Sequence, residues 1–173
     1  RMGLMIADIP GEATLAKTTI EAAAAGAFNV PITSPTAGDK FAFVHSADAS
    51  ANYNQIYNNL VVSGRDDFVP ANTLVDVMNT LNDPRRPLYF TTVGGIYSGG
   101  VYGAPNGFDN FSHVNPSLLT GAREGLLMDY VEVEFMLAEA IERGYTVSGT
   151  AEQHYNNAIT ASILYWGGTA ADA

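Results

Sequence analysis

Leu126-Leu127-Met128-Asp129-Tyr130-Val131-Glu132-Val133-Glu134-Phe135-Met136-Leu137-Ala138-Glu139-Ala140-Ile141-Glu142-Arg143-Gly144 is followed by the loop Tyr145-Thr146-Val147-Ser148-Gly149. Then comes Thr150-Ala151-Glu152-Gln153-His154-Tyr155-Asn156-Asn157-Ala158-Ile159-Thr160-Ala161-Ser162-Ile163-Leu164-Tyr165-Trp166. The spacing predicts a helix–loop–helix over 126–166. Gly144 tolerates the left-handed conformation that closes a helix, and Arg143 in the last turn suits the negative end of the dipole. Thr150 opens the second helix, with Gln153 three residues on to complete a capping box. Ala151, Tyr155, Ala158, Ile159, Ser162, Ile163 and Trp166 then share one face.

In the first helix of the pair, Leu127, Tyr130, Val131, Leu137, Ala138 and Ile141 form an apolar arc at about 100° per residue, with Glu134 in its middle. Asp129, Glu132, Glu139 and Arg143 take the opposite side. Met128, Val133, Phe135 and Ala140 widen the apolar cover past half the circumference, so the helix needs neighbours on more than one side. Stacked helix pairs supply them, and the small residues Ala138, Ala140, Ala158 and Ala161 let helices approach closely. The logic is that of a tetratricopeptide-type unit, with Gly167-Gly168 in place of the usual closing Pro. Glu134 reads as buried, so it must be paired or hydrogen-bonded. Arg65, Arg85 and Arg86 are the candidate partners, in a structural role that ties the loop region to the helix pair.

The run Asp129 to Ala140, then Gly149-Thr150-Ala151-Glu152 and the ending Tyr165-Trp166-Gly167, resembles the SusD/RagB family. Ser63-Gly64-Arg65-Asp66-Asp67-Phe68-Val69-Pro70, Asn82-Asp83-Pro84-Arg85-Arg86-Pro87-Leu88-Tyr89-Phe90 and Tyr102-Gly103 resemble its middle region. The match is clear from about Ser63 to Gly168 and looser before that. The resemblance implies a mainly α-helical fold of tetratricopeptide-like hairpins, with an irregular loop-rich middle and a few short strands. It implies a non-catalytic cell-surface glycan- or nutrient-binding lipoprotein of the outer membrane. Its expected partners are an oligosaccharide or peptide nutrient and a TonB-dependent, SusC-like transporter. A protein-binding helical scaffold without sugar affinity is the alternative.

The chain has 173 residues, 47% apolar and 15% charged, enough for a packed core and unlike a disordered segment. The net charge of −10 argues against nucleic acid as a partner. Residues 124–173 carry −7 of it, eight acids against Arg143 alone. With no cysteine, disulfides, thiol catalysis and zinc–thiolate sites are excluded. No apolar run reaches spanning length. Both ends read as cut, so we expect an internal portion of a longer protein, touching the membrane only through a lipid anchor absent from this chain.

The expected organisation is one partial domain over 1–173, with a helical hairpin at 1–25, an irregular ligand-binding region at 26–125 and a second hairpin at 126–166. Pro10-Gly11 separates the helices of the first hairpin, and Gly26 ends it. Phe41 to Val44 reads as a short strand, and Asn52 to Val62 as a turn of helix carrying Tyr53 and Tyr57. Thr73 to Leu81 reads as a helix with Leu74, Val77, Met78 and Leu81 on one face. Leu88 to Val93 is β-like, and Gly94 to Gly103 is a Gly/Tyr loop or hairpin. The two hairpins are expected to pack against one another or against further helices, leaving apolar surface that favours association.

The Gly-rich loop lacks the Lys-Ser/Thr of a phosphate loop, and Ser98 is one residue out of register with a nucleophile elbow. His45, His113 and His154 have no metal-ligand spacing, and Asp66-Asp67 lacks the oxygen pattern of a calcium loop, so no metal or other cofactor is expected. Glu132 and Glu139 could be proposed as a glycosidase pair, but a solvated face with a Glu139–Arg143 pair accounts for them, and no catalytic residue is assigned. What remains is aromatic and amide: Tyr97, Tyr102, Asn106, Phe108, Asp109 and Asn110 in one loop, with Tyr53 and Tyr57 upstream. Flat rings stack on the C–H faces of sugars, and amides both donate to and accept from hydroxyls. We place the ligand site on the loop from Tyr97 to Asn110. The competing account folds Tyr97 and Tyr102 inward over the core and moves the site toward Tyr53 and Tyr57.

Overall fold

The computed structural model describes residues 1–47 and 52–173; residues 48–51 of the irregular region lie outside the described residues. The chain is mainly helical. In order it forms α1 (Met2–Ile6), α2 (Ala13–Ala24), β1 (Lys40–Phe43), α3 (Gln55–Tyr57), α4 (Asn72–Thr80), α5 (Arg86–Tyr89), β2 (Gly125–Asp129), α6 (Tyr130–Glu142) and α7 (Ala151–Tyr165). A π-turn over Asn58–Val62 continues α3, and 3-10 turns cover Phe108–Asn110, Pro116–Leu118 and Ala170–Asp172. β1 and β2 pair in a two-stranded sheet. Two compact units emerge, 1–41 with 126–173, and 42–125.

The first unit is built from two helical hairpins, α1–α2 and α6–α7. Close approach of α1 and α2 rests on Gly3, where a Cβ would stand 2.7 Å from Ile20 Cγ1. The hairpins meet through polar links: Arg1 pairs with Glu132, Arg143 with Asp8 at 3.0 Å, and the Thr146 N–H donates to Glu21 at 2.8 Å. An apolar crevice of about 350 Å³ lies between them, lined by residues such as Leu4, Ile20, Phe28, Val133 and Leu137. Ile32, from the segment after α2, is 1% exposed and packs with Tyr130, Ala161 and Tyr165. Asp39 fixes that segment by accepting from the N–H groups of Asn29 and Val30 at 2.9 Å, while its carbonyl accepts from Tyr130 N–H at 2.9 Å.

Helix ends follow the sequence closely. α6 closes with Gly144 at φ 82°, Gly144 N–H on Ile141 O and Tyr145 N–H on Ala140 O. α7 closes the same way with Gly167 at φ 94°, Gly167 N–H on Leu164 O and Gly168 N–H on Ile163 O. Both are Schellman ends, in which a left-handed residue turns the last orphan carbonyls inward. Thr150 accepts from Gln153 N–H at 3.1 Å, the Thr half of the expected box.

Three readings need correction. The first helix of the pair starts at Tyr130, not Leu126. Asp129 is extended (φ −142°, ψ 175°) and caps the helix by accepting from Glu132 N–H at 2.9 Å, so Gly125 to Asp129 is free to pair with β1. Second, Leu88 and Tyr89, expected to open a β-like run to Val93, instead belong to a helical turn over Arg86–Tyr89. Asp83 accepts from Arg85 N–H at 2.8 Å and Pro87 supplies a preset φ at the helix start, which outweighs the β-like run that follows. Only Phe90, bridged to Val114, and Val93, bridged to Ile96, are β-like. Third, α4 turns Val75 and Met78 inward, whereas Leu74, Val77 and Leu81 are exposed.

The second unit's core is Val75, Met78 and Phe90, with Tyr89 and Tyr97 against it. Asn82, at φ 50°, ends α4 in a further Schellman turn, with Asn82 N–H on Asn79 O and Asp83 N–H on Met78 O. Asp83, 7% exposed, is gripped by Arg85 through Nε at 2.9 Å and Nη2 at 2.5 Å. That fork holds the Asp83 carboxyl below its usual range.

Candidate functional site

The side chains expected to bind ligand fall into two groups, both in the second unit. The first is the loop 97–110. Its base is pressed onto α4: Asn72 N–H donates to Gly100 O and Gly100 N–H to Pro70 O, both at 2.8 Å. Gly99 is required by that approach, since a Cβ there would stand 2.6 Å from the Asn72 backbone. Ser98 N–H donates to the fully buried Ser112 hydroxyl at 2.9 Å.

Beyond this base, Asn106 staples the turn. Its carbonyl accepts from Val101 N–H at 3.1 Å, and its amide donates to the carbonyls of Val101 at 3.0 Å and Ala104 at 2.9 Å. Gly103, at φ 79°, completes the bend. Tyr102 sits within the staple and is 81% exposed. Asp109 and Asn110, in the next 3-10 turn, are also exposed. Phe108 lies flat on His113, with ring centroids 3.8 Å apart and planes at 10°. His113 Nε2 donates to the Phe108 carbonyl at 2.9 Å, so one face of Phe108 is covered.

Tyr97 is placed differently. It is half-buried against the Val75, Met78 and Phe90 cluster, and the Arg86 guanidinium lies 5.5 Å from its ring centroid. Its carbonyl accepts from Asn79 Nδ2 at 2.9 Å. The two tyrosines of the loop therefore divide: Tyr102 is presented and Tyr97 is packed.

The second group is Tyr53 and Tyr57, half-buried and edge to face at 5.4 Å and 60°. Both lean on Gly121, where a Cβ would stand 3.2 Å from Tyr53 Cδ1 and 3.4 Å from Tyr57 Cδ1. Asn54, 8% exposed, holds the turn by accepting from Ile56 N–H at 2.9 Å and donating to Arg123 O at 3.1 Å. No ring contact or hydrogen bond joins the two groups among the described residues.

Glu132, Glu139, Asp67, Glu134 and His154 are engaged in structural contacts. Glu139 accepts from Arg143 Nε at 2.7 Å and Glu132 pairs with Arg1. Asp67 is held by Arg65 at 2.5 Å. Glu134 is buried, as expected, at 5% exposure, but its partners are not arginines. It accepts from His154 Nδ1 at 2.8 Å and Asn157 Nδ2 at 3.1 Å, both on α7, so it ties the hairpin to itself rather than to the loop region. The reason lies in geometry: Glu134 faces the partner helix of its own pair, and His154 and Asn157 are the polar residues on that facing surface. Among the described residues, no group of three or more His, Cys, Asp or Glu is arranged to hold a metal.

Over residues 1–173 the sequence matches the SusD-like family, described as starch-binding and associating with the outer membrane. The chain belongs to the SusD-like family. Among solved structures, a chitin-binding SusD homologue from Flavobacterium johnsoniae superposes with a TM-score of 0.76 at 26% identity, over 99% of this chain and 35% of its own. A SusD-like protein from Bacteroides thetaiotaomicron gives 0.73 at 26% identity, over 99% and 35%. A further chitin-binding protein gives 0.77 at 20% identity, over 95% and 38%, a likeness of fold. The chain thus spans little more than a third of the length of these structures. No curated protein matches the sequence. Among the described residues of this SusD-like chain, no helix is long and apolar enough to cross a membrane.

Several supporting residues of the loop carry no sequence signal. His113 under Phe108, Gly121 under the Tyr53–Tyr57 pair, and Arg86 over Tyr97 are separated from their partners by loops of irregular backbone, where no periodicity predicts proximity. The Asn106 staple is local and could have been suspected, because Asn side chains commonly bond backbone nearby.

Proposed function

We propose that this chain is part of a cell-surface glycan-binding protein that passes oligosaccharides to a TonB-dependent, SusC-like transporter without catalysing their breakdown. The observation that carries the reading is Tyr102, an aromatic ring 81% exposed on a turn whose backbone is fixed by Asn106. A ring held in water by a stapled turn loses little entropy on binding and offers a flat face to sugar C–H groups. Asp109 and Asn110, exposed a few residues on, supply partners for hydroxyls. In this reading Tyr102 is the contact, with Asp109 and Asn110 beside it. Asn106, Phe108 and Tyr97 position the loop, and Tyr53 and Tyr57 form a separate, secondary platform.

The family description and the chitin-binding SusD homologue from Flavobacterium johnsoniae support a glycan ligand, and they make α-1,4-glucans and chito-oligosaccharides the first to try. The test is calorimetric titration of the protein with malto- and chito-oligosaccharides, using Tyr102→Ala as the control. Saturable binding to at least one series, weakened by Tyr102→Ala at unchanged melting temperature, is the expected result. Absence of binding to every glycan, or binding indifferent to Tyr102, would overturn the site. Release of shorter sugars on prolonged incubation would overturn the non-catalytic role.

A further inference from the structure

We propose that the groove between α6 and the start of α7 is a docking site for a basic peptide segment. Phe135 on α6 and Tyr155 on α7 are 39% and 52% exposed and meet edge to face across the hairpin, with centroids 5.5 Å apart and planes at 71°. Ala138 and Ala151 form the floor of this shallow groove of about 500 Å³, and Glu139, Glu142 and Glu152 form its rim. Arg143, the cation at this end of α6, is already held by Glu139 at 2.7 Å and Asp8 at 3.0 Å. Glu142 and Glu152 make no ion pair among the described residues. The surrounding stretch, 124–173, carries a net −7.

The helix pair does not need these rings for its own packing. The side chains it buries are Tyr130, Val133, Glu134, Ala138 and Ala140 on α6, and Ala158, Ala161, Ser162, Ile163 and Tyr165 on α7. Two aromatic rings left in water between carboxylates without ion-pair partners match the needs of Lys and Arg side chains. The cation sits over a ring face, the aliphatic stem lies along it, and the head reaches a carboxylate. Charge complementarity excludes an acidic partner, and an open groove holds a lone amine poorly. An extended segment with several basic residues engages the rings and both carboxylates together.

The test is fluorescence anisotropy of a labelled peptide of alternating Arg and Gly, titrated with the protein at low salt. The variants are Tyr155→Leu, the double substitution Glu142→Gln with Glu152→Gln, and the control Asp66→Asn with Asp76→Asn, which removes the same charge from exposed positions of the other unit. All of these side chains are exposed, and circular dichroism checks that each variant is folded. Tyr155→Leu and the glutamate pair should each weaken binding at least about fivefold, with the control pair within about twofold. Equal loss in the control pair would mean undirected attraction to an acidic protein and would overturn the proposal. So would full affinity in Tyr155→Leu, or no measurable binding by the parent protein. Self-association that Tyr155→Leu abolishes, without peptide binding, would assign the groove to a second copy and overturn it as well.

Discussion

Replacing Glu134 by Leu should destabilise the first unit far more than its small change in volume suggests. The carboxylate is 5% exposed and accepts from His154 at 2.8 Å and Asn157 at 3.1 Å. Nearby, the Tyr130 hydroxyl has its ionisation pushed up to about 12, first by burial and then by the Glu134 charge. Leu fills the space and contributes apolar contact, but it leaves the His154 and Asn157 donors facing hydrocarbon. A buried donor stripped of its partner costs about 1–3 kcal/mol, and breaking a buried pair by removing one member about 3–5 kcal/mol. His154 keeps its Ser148 carbonyl at 2.8 Å, so the lower end applies, about 3 kcal/mol. In a chain of this length that lowers the melting temperature by about 6–12 °C. Calorimetry of Glu134→Leu against the parent reads it directly, with the exposed Glu142→Leu as a control expected within about 0.5 kcal/mol. A double-mutant cycle with His154→Ala should return a coupling of about 1–3 kcal/mol. A Glu134→Leu protein melting within about 2 °C of the parent would refute the claim that this triad holds the hairpin.

Tyr102→Ala should weaken glycan binding by about 1–3 kcal/mol at constant stability, whereas Tyr97→Ala should lower the melting temperature because it removes a ring packed on the Val75–Met78–Phe90 core; binding titrations with thermal melts separate them. Gly99→Ala should cost about 1–3 kcal/mol, since its methyl meets the Asn72 backbone, and should loosen the loop as judged by proteolysis. On the acid side, the Asp83 carboxyl is held low by Arg85, so its contribution is present above the ordinary carboxylate range and lost as pH falls through the lowered value; Asp83→Asn should flatten the acid limb of a stability–pH curve. On the alkaline side, burial raises Tyr89 and Tyr130 from 10.0 to about 12, so their contribution is intact below pH 10 and lost as pH rises toward 12; Tyr130→Phe should shift that limb upward.

The hairpins were legible because they are written in local code. Gly144, Thr150 and Gly167 mark ends that depend only on backbone sterics and on bonds a few residues long, and all three act where the sequence puts them. The same rules misplaced the start of α6 because Leu126 to Met128 fit an apolar helical arc as well as a strand. Periodicity cannot choose between them over so short a run; Asp129 as cap and β1 as partner decide. The inward face of α4 failed for a related reason. Leu74, Val77 and Leu81 are as apolar as Val75 and Met78, and which pair turns in depends on where Phe90 and Tyr97 arrive.

The family and the mainly helical architecture were set by the sequence alone, because helix signals are local and the family's segments keep their order along the chain. So was the burial of Glu134, which follows from its place on an apolar arc. Tertiary structure alone decided what Glu134 bonds to, which loop tyrosine faces water, and that Phe135 and Tyr155 meet across the hairpin between carboxylates. These depend on contacts between residues far apart in the chain, and a linear pattern specifies how apolar a side chain is without specifying which neighbour reaches it first.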